Sequence, residues 1–290
     1  MRKKWIYWLG VGAMGIAFIA SGCKTGNNSP QYANHLLQWN AYADSLFFVP
    51  DSGQYMDDGT PIHHLDLKVS CSYPTSVAPE GQALSDSIGR KLQYALLGEE
   101  AMQQEPFDSV AKKFFISSYQ EYLQDMQAPN FESLIKAGMT YIRTGYYTSK
   151  LLYNDKDYVS LEINKQEYSG GAHGIENFYY LNYDLQNNRE LTLADILQSP
   201  DSPQLLRLII QKIQERFGVT TQKELEAIGI YSADEIPIPT NIHFDADSIY
   251  FHYNPYEIAA YVIGSIDVGL SYEQLTPYLK DPFKSRITKN

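Results

Sequence analysis

Only two cysteines, Cys23 and Cys71, occur in 290 residues. So few thiols exclude a disulfide scaffold and a cysteine-rich zinc module. Positive charge is also scarce: 23 Lys and Arg stand against 34 Asp and Glu, a formal net charge of −11. A surface of that sign repels phosphate backbones and anionic headgroups, which excludes nucleic acid as a partner. No apolar run reaches the roughly 18 residues expected of a membrane-spanning helix. The sequence holds no HExxH, no paired CxxC, no P-loop and no GxSxG, so the common routes to hydrolase and nucleotide chemistry are missing. Its single GxGxxG, Gly10 to Gly15, lies in the N-terminal apolar run with no strand before it and marks no dinucleotide site. No internal repeat is visible.

What is present begins at the N-terminus. Arg2, Lys3 and Lys4 precede an uncharged run from Trp5 to Ala20, followed by Ala20-Ser21-Gly22-Cys23. A basic start, a short apolar core and small residues before a Cys describe a secretory leader, 1–22, with Cys23 as the lipidated first residue. Residues 23–36 are polar, with Gly, Asn, Ser and Pro, and read as a lipidated tether. The expected location is the cell envelope, anchored through lipid on the periplasmic face or in the outer membrane. Loss of the leader takes three basic residues and leaves a net charge of about −14. If Cys23 carries lipid, Cys71 has no partner; in the alternating run Leu65, Leu67, Val69, Cys71, it reads as a small buried hydrophobe.

Beyond the tether, His64–Tyr73 alternates as a half-buried strand, and Leu84, Ile88, Leu92 and Leu96 fall at helical spacing. A longer helix follows Pro106. Segments 141–153, 158–168 and 175–183 are strand-like, with turn chemistry at 154–157. The stripe Leu205, Leu206, Ile209, Ile210, Ile213, Phe217, closed by Gly218, predicts an amphipathic helix. Two further strands are predicted near 249–253 and 262–270, then a short helix capped by Ser271. Strands and helices cluster rather than alternate, which predicts an α+β fold: antiparallel sheet with helices packed on one face. Gly138 suggests two sub-domains, 37–137 and 138–290.

Tyr168-Ser-Gly-Gly-Ala-His-Gly174 is the most unusual stretch. Gly170 and Gly171 permit a tightly shaped loop. Ser169 and His173 invite a nucleophile–base reading, but no acidic orienter accompanies them; no catalytic residue, metal ligand or cofactor is assigned. His63 and His64 are adjacent on a strand and point to opposite faces. Asp245–Ser248 reads as a hairpin turn rather than part of a metal site with Asn241 and His243. The 24 tyrosines offer stiff contact area with a hydroxyl handle, suited to protein recognition or sugar stacking.

Segments 158–197 (with SGGAHG, NYDL and LTLADIL) and 243–279 (with NPYEIAAY), and more faintly 64–97, together resemble the extracytoplasmic domain pair of RsiV-type anti-sigma factors and PdaC-type peptidoglycan deacetylases. That resemblance implies a receptor-like module, which in the anti-sigma members binds lysozyme. Neither the deacetylase domain nor a cytoplasmic anti-sigma segment is matched here. By position, Gly170, Gly171 and His173 fall on the family's glycine loop, and Tyr256 and Glu257 on its Y-E-I-A segment, as partner-contact or loop-fixing residues. Glu257, among Ile258, Ala259 and Ala260, reads as a buried carboxylate in need of a partner. The expected function is a non-enzymatic binding module for a basic protein such as a lysozyme-like hydrolase, or for a cell-wall component. Peptidoglycan or glycan binding through exposed tyrosines and an unrecognised hydrolase using Ser169, His173 or Glu257 are the alternatives.

Overall fold

A computed structural model describes residues 7–8, 36–50, 55–98, 105–232 and 235–287. Cys23, the tether up to residue 35 and the leader apart from residues 7–8 lie outside the described residues. The fold is α+β, with one large sheet whose strands follow chain order and a second sheet of three strands. Two compact units arise, residues 1–149 with 164–175 and residues 150–163 with 176–290.

In the first unit a two-residue strand β1 (Tyr7–Trp8) pairs with β2 (Leu37–Phe48). β2 pairs antiparallel with β3 (His63–Ser76) from Leu37 opposite Ser76 to Phe48 opposite Leu65. The sequence hides β2 because its polar residues, Gln38, Asn40, Asp44 and Ser45, dilute the apolar alternation. In β3, Leu65, Leu67, Val69 and Cys71 share the buried face, as period two requires. Burial pushes the Cys71 thiol well above the usual range, so it stays protonated and inert.

Helices α1 (Gln82–Leu97), α2 (Phe107–Met126) and α3 (Phe131–Lys136) then intervene before β4 (Tyr141–Asn154). β4 lies parallel to β3, His63 opposite Tyr141 through Ser70 opposite Thr148. The sheet expected as antiparallel thus contains a parallel pair. A long helical crossover returns the chain to the end from which β3 started, and such a connection permits parallel pairing. Leu84, Ile88, Leu92 and Leu96 are buried on α1, and Val110, Phe115 and Tyr122 on α2.

β4, β5 (Tyr158–Tyr168) and β6 (Ile175–Asp184) are divided between the two units along their length. In the second unit β6 pairs with the short β7 (Arg189–Glu190). Helices α4 (Leu193–Ile196), α5 (Pro203–Phe217) and α6 (Gln222–Ala227) follow. Leu205, Ile209 and Ile213 of α5 pack into one core with Phe244, Ile249, Phe251, Val268 and Leu270. These last five belong to the second sheet, β8 (Ile242–Phe244), β9 (Ser248–Tyr253) and β10 (Ile266–Ser271), in the order β10-β9-β8. Capping boxes start α6 (Thr221 with Glu224) and α7 (Tyr272–Leu275; Ser271 with Gln274), and α8 (Phe283–Ile287) ends the described chain.

The strand predicted from Val262 begins four residues later. Tyr261–Ile263 form a 3-10 turn and Gly264 takes φ 73, a left-handed step that ends extended backbone before Ile266.

Candidate functional site

The glycine loop joins β5 to β6 in the first unit. Gly170 and Gly171 adopt φ 103 and 95, which side-chain-bearing residues rarely occupy. The Tyr168 hydroxyl donates to the Gly171 carbonyl at 3.0 Å and closes the loop on itself. His173 is exposed, and its Nδ1 donates to the Gly174 carbonyl at 2.9 Å. Tyr168 through Gly171 form one wall of a pocket of about 670 Å³, opposite Phe131, Leu134 and Ile135 of α3, with Met139 and Tyr141. Ser169 lines this pocket and His173 does not. Asp125, at its edge, accepts from the Tyr141 hydroxyl at 2.5 Å and from Arg143 at 2.9 Å.

Tyr256 and Glu257 fall in the second unit, after β9. Asn254 fixes this turn: its side chain accepts from the Phe178 amide at 2.6 Å and donates to the Phe178 carbonyl at 3.0 Å. Glu257 is exposed, not buried as its apolar neighbours suggested, because the turn points it outward while Ile258 and Ala259 go inside. Its carboxylate accepts the Asn254 amide at 3.1 Å, and its own amide donates to the Asn254 carbonyl at 3.1 Å. Tyr256 between them is held at φ 72. A bulky residue in the left-handed region costs about 1 to 2 kcal/mol. Its ring, 54% exposed, leans on Tyr261 at 5.4 Å, and Val262 beside that pair is 87% exposed. Ile228 and Tyr231 are also exposed, on a segment joined here by the Ile230–Ala259 bridge and by the Tyr231 amide donating to the Ile258 carbonyl. An apolar surface therefore gathers around a strained turn.

The other histidines among the described residues make hydrogen bonds within the fold. His63 Nδ1 accepts the Tyr141 amide at 3.0 Å, and His64 Nδ1 donates to the Pro61 carbonyl at 2.9 Å. Asp245 turns the β8–β9 hairpin by accepting the amides of Asp247 and Ser248. His243 joins a cluster that sequence reasoning missed. His243 Nε2 and His252 Nδ1 each donate to Asp267 at 3.1 Å, and His243 stacks between Tyr180 and Tyr250. Burial raises the Asp267 pKa, but the two histidine bonds outweigh it and hold the carboxyl down at about 2. His243, His252 and Asp267 come from the three strands of the second sheet and meet through their register, while Tyr180 comes from β6. Among the described residues no group of three or more His, Cys, Asp or Glu side chains is arranged to hold a metal ion.

Tyrosine abundance has a local cause as well. Tyr42, Tyr141, Tyr146, Tyr147, Tyr153 and Tyr250 each donate to a carboxylate, so hydroxyls supplement the scarce cations in holding the acids. Tyr122, Tyr158, Tyr183 and Tyr253 are fully buried.

Residues 194–273 match the family model DUF3298, described as a protein of unknown function. This stretch holds Tyr256, Glu257, His243, His252 and Asp267 but not the glycine loop. The chain is similar to the crystal structure of a member of the DUF3298 family from Bacteroides fragilis NCTC 9343, at 26% identity and a TM-score of 0.77, covering 89% of this chain and 100% of that one. A DUF3298 family protein from Pseudomonas aeruginosa PAO1 shares the fold at 15% identity and a TM-score of 0.55, over 84% of this chain and 95% of that one. No curated protein matches the chain.

Proposed function

We propose that this chain is a cell-envelope lipoprotein, tethered through Cys23, that captures a basic protein such as a lysozyme-like hydrolase on the surface around Tyr256 and Val262. One observation carries the reading. Tyr256 is kept in a costly backbone conformation with its ring turned to solvent, beside a Val that is 87% exposed. Strain and exposed apolar area are retained where the surrounding structure gains from them, and a docking surface supplies such a gain. Tyr rings at the centre of a contact are common binding anchors. The net charge of −11 favours a cationic partner and speeds its approach. The resemblance of the NPYEIAAY segment to lysozyme-binding extracytoplasmic domains points the same way.

The test is a binding titration of the purified chain with lysozyme. Binding is expected at about 25 mM salt, weakening at least about tenfold by about 250 mM as screening removes the electrostatic contribution. Val262→Asp should weaken it by roughly tenfold or more while leaving Tm unchanged, since so exposed a side chain supports little of the core. Absence of binding at low salt sinks the lysozyme version. Unchanged binding by Val262→Asp sinks the surface.

A further inference from the structure

A second pocket of about 510 Å³ lies in the first unit, between the end of β3, one side of α1 and the start of α2. Gly89 is on its wall, in the interior of α1. Glycine weakens a helix there relative to Ala. The usual compensation, a neighbour too close to admit a side chain, is absent: an added Cβ would meet nothing within 4 Å. What the missing side chain preserves is open space in the pocket.

Arg90 and Gln93 line the same pocket, next to Gly89 and one turn beyond it. Gln93 is only 6% exposed; its Nε2 donates to the Glu105 carbonyl at 3.1 Å, and its Oε1 has no donor among the described residues. A buried acceptor left in that state destabilises a fold unless something else satisfies it. Arg90 forms no ion pair among the described residues. Three acids line the pocket, and each has a partner: Glu105 with Lys113 at 2.5 Å, Asp86 with the Gln82 amide at 2.8 Å and Asp108 with Lys112 at 3.8 Å. Tyr73, stacked on Phe107 at 5.4 Å, adds a flat apolar side.

We propose that this pocket binds a small carboxylate carrying an adjacent N–H or O–H donor, as a peptide C-terminus or a sugar acid does. The guanidinium fork of Arg90 matches a carboxylate. A donor beside that carboxylate gives Gln93 Oε1 the partner the fold withholds, and the apolar part of the ligand rests against Tyr73. Gly89 keeps the space for it.

Calorimetric titration of the full chain decides the matter, using N-acetyl-dialanine, N-acetylmuramic acid and the neutral N-acetyl-dialanine methylamide. At least one acid should bind saturably, telling the peptide source from the sugar source, and the methylamide should bind at least roughly tenfold more weakly. Arg90→Gln and Gly89→Leu should each weaken the acid by about tenfold or more, while Gly89→Ala raises Tm. If Gly89→Leu lowers Tm, Arg90→Gln decides alone, because Arg90 is half-buried and supports no ion pair. Failure of both acids to bind the unaltered chain, or equal binding by Arg90→Gln, overturns the proposal.

Discussion

At the scale of single residues, the sequence announces conformation better than partnership. Gly170 and Gly171 were legible as a tight loop because only glycine adopts φ near 100 without strain. Glu257 was misjudged because neighbours in sequence are not neighbours in space: a turn sends Glu257 outward and Ile258 inward. Asp267 was not legible at all, since its histidines stand 15 and 24 residues away and meet it only through strand register. Its depressed pKa has a consequence for stability. A carboxyl whose folded pKa lies below its unfolded value stabilises the fold above the unfolded pKa, and that contribution is lost as pH falls through the folded one. The gap between about 3.8 and about 2 corresponds to about 2 kcal/mol, and solvent reaching a side chain 37% exposed reduces this to about 1 kcal/mol. Asp267→Asn should therefore lower stability by about 1 kcal/mol at pH 7, with the difference from the unaltered chain shrinking between about pH 4 and about pH 2. Denaturant melts across that range provide the check, and a difference that does not depend on pH would assign its cost to packing.

At the scale of elements, periodicity served well wherever one face is buried. Leu205, Ile209 and Ile213 of the α5 stripe are fully inside, with Leu206, Ile210 and Phe217 partly buried beside them, and Val159, Leu161 and Ile163 of β5 are fully inside. It failed where the chain carries little contrast, as in β2, or where apolar residues face solvent, as at Val262. The Asn254–Ile258 turn shows why its motif has its composition: Asn254 anchors to Phe178, Glu257 closes the turn, and Tyr256 bears the strain. Tyr256→Gly relieves the left-handed cost but removes the Tyr261 contact, so the fold should gain up to about 1 kcal/mol. Binding to lysozyme should fall at the same time. A variant that is more stable and still binds fully would show that the turn serves the fold alone.

At the scale of the whole molecule, the α+β class followed from clustered strands and helices, whereas the parallel β3–β4 pair did not, because a crossover leaves no mark in local periodicity. Charge was legible from composition, and its management was not: hydroxyls of tyrosine join lysine and arginine in holding the carboxylates. Those bonds leave the net negative charge intact, which keeps a long-range attraction for basic proteins. Amide hydrogen exchange of the chain with and without lysozyme at low salt locates the proposed contact. Protection concentrated at residues 255–263 and 228–231 is the predicted result. Protection elsewhere with those segments unchanged would contradict it.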